Sequence, residues 1–153
     1  MNLSTTINAI SSQFPFMMGG ISIFLLAFLE KSNRNSWWIP IYIAGFIGNE
    51  VLNRVLKQII QEPRPVPISP TNIYGMPSAH SQLAAYSLVF ITLVLREKHY
   101  GWILLFVFLT VGTMIQRVVT QVHSLEQVIV GGLLGGVIGY LLQKIGKKNI
   151  LYR

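Results

Sequence analysis

Long apolar segments that carry almost no charge restrict the folding of this chain more than any other feature. Five such segments cover residues 14–29, 37–61, 77–95, 100–119 and 123–142. A helix needs about 20 residues to cross the hydrocarbon core of a bilayer, and tilt or a polar end brings the first two segments within that range. Backbone groups in lipid must bond within their own segment, so we expect helices. The sequence therefore predicts an all-α polytopic membrane bundle of about five transmembrane helices.

The composition supports a bilayer as the solvent. Charged residues make up 11% of the chain, whereas a soluble domain carries about 25%. The net charge of +7 comes from residues between apolar segments, without a basic stripe interleaved with aromatics, which argues against nucleic acid as a partner. The lack of cysteine excludes disulfides, thiol catalysis and cysteine metal sites. The first segment has no basic flank or cleavage site, so we expect a retained span and not a signal peptide.

A proline-rich loop, residues 62–76, separates the second and third segments. Proline cannot continue a helix and restricts the residue before it, so this stretch breaks the helical pattern. The prolines are Pro63, Pro65, Pro67 and Pro70. No repeat or second domain is visible, so we expect residues 1–153 to form one membrane-embedded domain.

The basic residues predict an orientation in the membrane. With five spans, the ends of the second and fourth lie at the same face as the starts of the third and fifth. That face carries four basic residues, Arg54, Lys57, Arg64 and Arg117. The opposite face carries eight, Lys31, Arg34, Arg96, Lys98, Lys144, Lys147, Lys148 and Arg153. Cytoplasmic loops are enriched in Lys and Arg, so we expect the face with four to be lumenal or periplasmic.

Three polar clusters lie on that face. In the first, Lys57 stands near the end of the second segment and Arg64 follows the proline break. A lysine point charge and the planar donor fork of an arginine together suit a dianionic phosphate. Snorkelling of two long basic side chains at the membrane surface is the alternative interpretation.

The second cluster, Met-Pro-Ser-Ala-His-Ser at residues 76–81, opens the third segment. Pro77 suits the first position of a helix, whose free amides bind anions. Ser78 adds a hydroxyl donor, and His80, about one turn further, is able to donate a proton. A plain helix start with a capping serine is the alternative, and it leaves His80 without an explanation.

The third cluster pairs Arg117 with His123, six residues later. Six residues are about 600° along a continuous helix, so both side chains reach one site only if the chain turns between them. His123 and Gln127 are four residues apart and share a helix face, so the Gln127 oxygen can accept a hydrogen bond from His123 and fix its tautomer. Glu126 points elsewhere. A polar helical hairpin without further function is the alternative interpretation.

Together, the clusters supply three cations, a helix N-terminus and two histidines. Phosphoryl transfer needs this set, because one histidine attacks phosphorus, the other protonates the leaving oxygen, and cations stabilise the equatorial oxygens. Glu50 and Arg54 can pair along the second span, as a structural or a functional element. No carboxylate falls at ligand spacing from either histidine, so we expect neither a metal ion nor another cofactor.

The clusters resemble the three motifs of the type 2 phosphatidic acid phosphatase superfamily, which are Lys, six residues, Arg-Pro; Pro-Ser-x-His; and Arg, five residues, His. The matching positions lie within residues 57–127. The resemblance implies an all-helical, membrane-embedded, metal-independent hydrolase. It implies that His123 attacks phosphorus and forms a phosphohistidine, that Gln127 orients it, and that His80 is the general acid. The phosphate-binding residues that it implies are Lys57, Arg64, Ser78, Ala79 and Arg117.

The chain departs from the family pattern at two positions. Gln116 stands where serine is frequent, and Gln127 stands where the family usually has aspartate. An aspartate would stabilise the cationic form of His123, whereas glutamine can only orient it. The dolichyldiphosphatase branch of the family resembles this chain in having glutamine there, and residues 62–65 and 74–82 are also similar to that branch. This resemblance implies a dolichyl-type diphosphate as substrate, at the lumenal face of the endoplasmic reticulum.

The resulting hypothesis is a lipid phosphatase that converts a polyprenyl diphosphate to the monophosphate and phosphate. In a bacterium the same site would face the periplasm from the inner membrane. Phosphatidic acid and undecaprenyl diphosphate are alternative substrates of the same chemistry. A lipid-phosphate binder or transporter without turnover is the rival class, supported by Gln127. Gly131, Gly135 and Gly139 indicate close helix packing within the bundle or a dimer interface. The oligomeric state is not predicted.

Overall fold

The computed structural model describes residues 10, 12–28, 37–67, 69, 72–95 and 99–151. Five helices run through them: α1 (Phe14–Phe28), α2 (Trp38–Ile60), α3 (Ala79–Leu95), α4 (Tyr100–Val119) and α5 (Leu125–Leu151). Within the described ranges the β-structure is limited to one isolated bridge, between Pro63 and Tyr74. The predicted all-α bundle is confirmed, and the first, second and fourth apolar segments match α1, α2 and α4 to within one residue.

Two helix starts differ from the prediction. α3 begins at Ala79, so Pro77 precedes the helix and does not occupy its first position. The chain is held outside the helix there, because the Ser78 amide donates to the carbonyl of Gln127 at 2.9 Å. α5 begins at Leu125, so His123 lies in the turn before it and not on the helix. α5 also continues to Leu151, since the sequence beyond residue 142 contains no proline to stop it.

α3 is the central helix and packs against the other four helices of the described chain. Its buried side chains come from every face, as expected for a helix that other helices surround. They include Leu83, Ala84, Ala85, Tyr86, Phe90 and Ile91. The position of α3 explains why its first residues reach the centre of one end of the bundle.

α3 and α5 approach each other closely along a row of small residues, which we call the glycine seam. The seam consists of Gly131, Gly135 and Gly139 of α5. A Cβ atom at these positions would meet backbone atoms of Ser78, just before α3, and of Gln82 and Tyr86 within α3. Small residues allow helix backbones to touch in this way. The seam is therefore used inside the bundle, in agreement with the first of the two interpretations of the glycine spacing.

An aromatic core joins α2 to α3 in the interior. The rings of Tyr42 and Tyr86 stack with centroids 5.3 Å apart, and Trp38 meets Phe90 edge-on at 5.9 Å. The Tyr86 hydroxyl donates to the carbonyl of Tyr42 at 2.9 Å, and the Tyr42 hydroxyl lies 2.6 Å from that of Ser87. Both buried phenols thus have partners, as a low-dielectric interior requires.

The outer face of α4 is apolar and open. Leu104, Phe108, Ile115 and Val119 are each more than half exposed, which is the pattern expected of a helix that faces lipid. Residues Tyr100–Val119 and Leu125–Lys147 are long and apolar enough to cross a bilayer.

The helix ends group as the five-span topology requires. α2 and α4 end where α3 and α5 begin, and we call this the polar end of the bundle. Lys144 and Lys147 lie towards the other end of α5. The remaining residues of the charge count on that side fall outside the described side chains, namely Lys31, Arg34, Arg96, Lys98, Lys148 and Arg153, and so does Pro70 of the loop.

Candidate active site

The loop after α2 brings Arg64 to the polar end. α2 ends with Gln61 in the left-handed conformation, with its amide bonded to the carbonyl of Lys57. The loop then pairs with itself, since the Arg64 amide donates to Ile73 at 2.8 Å and the Gly75 amide donates to Glu62 at 2.7 Å. Prolines have no N–H to donate, so these bonds between the remaining amides and carbonyls hold the loop together. They keep Arg64 at the polar end of the bundle.

The connection between α4 and α5 brings Arg117 and His123 together. Gln121 has a positive φ of 57°, and the chain reverses so that the His123 amide donates to the carbonyl of Arg117 at 3.2 Å. The Val66 amide of the loop donates to Gln121 at 3.0 Å, which joins the two connections. The predicted turn between Arg117 and His123 is confirmed.

The hydrogen bonds of His123 define its tautomer. Arg64 Nη1 lies 2.7 Å from Nε2 of His123. A guanidinium only donates, so Nε2 accepts and the ring hydrogen sits on Nδ1. Nδ1 lies 3.0 Å from Oε1 of Gln127, which is the predicted contact, although His123 precedes the helix that holds Gln127. The lone pair that could attack an electrophile is therefore on Nε2.

His123 is held in its neutral form. Burial, followed by the charge of Arg64, lowers its pKa to about 3, although the hydrogen bond to Gln127 acts in the opposite direction. A neutral imidazole is the nucleophilic form of histidine, and here its Nε2 lone pair accepts the hydrogen bond from Arg64.

Two buried arginines have donors without acceptors. Within the described residues, Nε and Nη2 of Arg117 and Nε of Arg64 are buried and lack a hydrogen-bond partner. Arg64 is otherwise bonded to the carbonyl of Val122 at 2.8 Å and to Oδ1 of Asn72 at 3.2 Å. The ion pairs of the described chain include neither arginine. Unpaired buried charge is strongly unfavourable, so these arginines are arranged for an anion that comes from outside.

Lys57 is placed differently from the prediction of a direct phosphate clamp. Its ammonium donates to the carbonyls of Tyr74, Gly75 and Pro77, at 3.4, 2.9 and 2.7 Å. These bonds hold the end of the loop against α2. Lys57 borders the same cavity as the arginines, so in this structure it contributes positive charge and supports the loop. We call Lys57, Arg64 and Arg117 the cation cluster.

At the start of α3, Ala79 and His80 line the cavity, whereas the side chain of Ser78, just before the helix, does not. Ser78 is fully buried and its hydroxyl accepts a bond from that of Ser81 at 3.1 Å. The first amides of a helix have no acceptor within it, so those of Ala79 and His80 remain for a ligand. The His80 ring meets Phe16 edge-on at 5.9 Å and hydrogen-bonds the backbone of Ser12.

A cavity of about 320 Å³ collects these groups. It contains both histidines and the whole cation cluster, and its lining residues are Glu50, Asn53, Arg54, Lys57, Arg64, Asn72, Ala79, His80, Arg117 and His123. The described residues contain no group of three His, Asp or Glu side chains able to hold a metal ion. An acceptor lone pair, a second histidine and unpaired cations around one cavity are the parts needed to transfer a phosphoryl group.

Three buried amides beside the cavity were missed by the sequence analysis. We call them the amide cluster: Asn49, Asn53 and Gln82. Asn53 donates to Gln82 Oε1 at 2.8 Å, Gln82 donates to Asn49 Oδ1 at 2.9 Å, and Asn49 donates to the carbonyl of Gly45 at 2.8 Å. The available signal was their presence in otherwise apolar spans, where buried polar groups need each other.

Glu62 was also not assigned a role from the sequence. Its carboxylate accepts a hydrogen bond of 2.8 Å from Nε2 of Gln127, which donates at the same distance to the carbonyl of Pro63. Gly75 leaves the room for this contact, because a Cβ there would collide with the Gln127 amide. The signal was its place between Lys57 and Arg64, in a chain with only five acidic residues.

Comparison with known proteins agrees with the motifs. The PAP2 superfamily matches residues 38–151. Dolichyldiphosphatase of Saccharomyces cerevisiae is 33% identical over 112 residues, which are 63% of this chain and 47% of the relative. Dolichyldiphosphatase 1 of Homo sapiens is 33% identical over 113 residues, or 63% of this chain and 48% of the relative. Dolichyldiphosphatase 1 of Dictyostelium discoideum is 31% identical over 145 residues, which are 88% of this chain and 61% of the relative. This chain spans about half the length of the first two relatives.

A solved structure shares the fold. The crystal structure of the first transmembrane PAP2 type phosphatidylglycerolphosphate phosphatase from Bacillus subtilis aligns with a TM-score of 0.68 and 24% identity. The alignment covers 97% of this chain and 88% of the other. The expected membrane-embedded helical bundle and the resemblance to the superfamily, near its dolichyldiphosphatase branch, are thus confirmed.

Proposed function

Because this chain belongs to the PAP2 superfamily, we propose that it is a membrane lipid phosphatase which hydrolyses a dolichyl-type polyprenyl diphosphate to the monophosphate and phosphate. The observation that carries the proposal is the pair of buried arginines with unpaired donors beside the Nε2 lone pair of His123. A terminal phosphate offers these donors their missing acceptors and presents its phosphorus to the nucleophile.

The first step forms a phosphohistidine. When phosphate enters, Arg64 turns from His123 to the phosphate oxygens and releases the Nε2 lone pair. That pair forms a bond to the terminal phosphorus while the bond from phosphorus to the bridging oxygen breaks. His80, in its protonated form, gives a proton to the leaving oxygen of the lipid monophosphate and becomes neutral, and the arginines stabilise the charge on the transferred group.

The second step returns the enzyme to its starting state. Water attacks the phosphorus, His80 takes a proton from that water, and the bond between phosphorus and Nε2 breaks. Inorganic phosphate leaves and both histidines regain their initial protonation. The hydrogen bond from Nδ1 to Gln127 keeps the ring oriented throughout.

A groove beside the cavity supports a lipid substrate. It has a volume of about 470 Å³ and is lined by Phe46, Ile47, Glu50, Val51, Arg54 and Val55 of α2. Glu50 and Arg54 also line the cavity that holds the histidines, so the two spaces adjoin. A diphosphate in the polar cavity could therefore continue as an isoprenoid chain along the apolar side of α2.

The relatives support the choice of lipid and of compartment. Those at about a third identity are named dolichyldiphosphatases, which favours a dolichyl-type diphosphate over phosphatidic acid or undecaprenyl diphosphate. The excess of basic residues opposite the polar end favours a site at the lumenal face of the endoplasmic reticulum, or at the periplasmic face in a bacterium.

Phosphate release from a polyprenyl diphosphate tests the function. Purified protein in detergent with EDTA is compared with His123→Ala and with a matched control, His99→Ala. The control changes the one histidine outside the site, which precedes α4. We expect release by the wild type and by His99→Ala, and none by His123→Ala. Equal release by all three would refute His123 as nucleophile. Lipid binding without release by the wild type would favour the binder or transporter, with Gln127 as its cause.

A further inference from the structure

Gln127 connects the nucleophile to a carboxylate. Its side chain is fully buried, and Oε1 accepts from Nδ1 of His123 at 3.0 Å and from the Ser124 amide at 3.3 Å. Its Nε2 donates to Glu62 at 2.8 Å and to the carbonyl of Pro63 at 2.8 Å. Donors and acceptors match at both ends, so the orientation of the amide is fixed.

Negative charge near this amide would favour the proposed chemistry of His123. When Nε2 bonds to phosphorus, Nδ1 keeps its hydrogen and the imidazole becomes a cation. A neutral amide oxygen orients that cation but offers only a partial charge. Glu62 places a full negative charge at the other end of the amide, where it polarises the group towards His123.

The Glu62 carboxylate has no charged partner in the described chain. Within the described residues it forms no ion pair, and its carboxylate bond is to Gln127. Lys57 and Arg64, five residues before it and two after it in the sequence, direct their side chains to other acceptors. The carboxylate is therefore available to act through the amide.

We propose that Glu62 is a positioning residue that acts through Gln127 and supplies the charge which an aspartate next to the histidine would supply directly. The inference rests on the proposed phosphohistidine function. It explains how a chain with Gln127 retains catalysis, since the carboxylate is moved one side chain further out and not lost.

The alternative is that Glu62 only braces the loop against α5. Glu62→Gln separates the two roles, because it keeps an oxygen that accepts from Gln127 and removes the charge. A brace predicts an unchanged enzyme. Our proposal predicts that kcat falls roughly ten- to a hundredfold, by analogy with the loss seen when the hydrogen-bond partner of a metal-binding histidine is replaced. KM should be unchanged, because the cation cluster is intact.

A second substitution returns the charge. In Glu62→Gln with Gln127→Asp, the carboxylate accepts directly from His123, and the shorter side chain stays clear of the Pro63 carbonyl. We expect this double variant to turn over faster than Glu62→Gln alone. Glu126→Gln is the matched control, since Glu126 is exposed and adjacent to Gln127, and we expect wild-type kcat from it.

The experiment measures kcat and KM for phosphate release, with thermal unfolding of each variant as a check of the fold. Full kcat in Glu62→Gln overturns the inference, and so does a double variant that is as slow as Glu62→Gln or slower while equally stable. Those results leave the proposed function intact if His123→Ala is inactive. No release by the wild type from any lipid phosphate would refute the function itself.

Discussion

Two groups of buried polar side chains lie side by side at the polar end, and they are completed in opposite ways. The amide cluster is neutral, and its nitrogens all donate to oxygens of the protein. The cation cluster is charged, and buried donors of its arginines have no acceptor in the described chain. The two clusters share α2, while the amide cluster also uses α3 and the cation cluster also uses α4 and the loop after α2.

The difference separates structure from function. A satisfied neutral network rigidifies the packing and needs nothing more. Unpaired buried cations reduce stability, and they persist where a ligand provides the missing charge. We therefore expect substitutions in the two clusters to have opposite effects on stability and activity.

The largest effect should come from Arg117→Met. Loss of a fixed donor aimed at the transition state should lower kcat/KM about a thousandfold. Stability should not fall, because the substitution removes a buried charge that lacks a partner. Phosphate release and thermal unfolding in one detergent measure both, with Lys144→Met at the other end as control. A less stable but fully active Arg117→Met would mean that the arginine is structural.

The next largest effect should be the gain in stability when an anion binds the cation cluster. Inorganic phosphate at about 100 times its Kd should stabilise the wild type by roughly 2.7 kcal/mol, because it binds only the folded cation cluster. Thermal unfolding with phosphate or with chloride at equal ionic strength measures this. The gain should disappear in Arg117→Met, and a gain that remains in that variant would place the anion elsewhere.

Gln82→Met should show the reverse pattern. The amide cluster loses its central member, and Asn49 Oδ1 is left buried without its donor, so stability should fall by about 2 kcal/mol. The activity of the folded protein should change far less than in Arg117→Met, since Gln82 does not line the cavity. Chemical unfolding and phosphate release test this. Unchanged stability would show that the cluster does not hold the helices.

The smallest effect concerns pH. The lowered pKa of His123, about 3 against an ordinary value near 6.5, favours the neutral ring in the folded state. Its contribution to stability is complete above pH 6.5 and is lost as the pH falls towards 3. Between pH 7.5 and 5.5 the wild type should lose about 1.4 kcal/mol from this residue. His123→Gln should lose less, as measured by unfolding at both pH values. Equal losses would mean that His123 protonates freely.

The sequence predicted what depends on local pattern. Apolar length and the proline loop defined the helices, and the spacing of Arg117, His123 and Gln127 predicted their turn and hydrogen bond. Contacts between distant residues were out of reach. The link from Gln127 to Glu62 spans 65 residues and depends on how the loop packs on α5. The carbonyl contacts of Lys57 and the burial of Ser78 likewise follow from packing that periodicity does not describe.

The glycine seam has a consequence for how this protein adapts to its membrane. Because α3 and α5 touch backbone to backbone, no side-chain rotamer can absorb a shift between them. His80 lies in the first turn of α3 and His123 in the turn just before α5, so we expect their separation to be insulated from changes in bilayer thickness. We expect α1 to adjust to changes in bilayer thickness instead. It has 15 residues and measures about 22 Å, which is shorter than the hydrocarbon core. Tilt and lipid deformation can then occur at the periphery of the bundle while the spacing of the histidines is preserved.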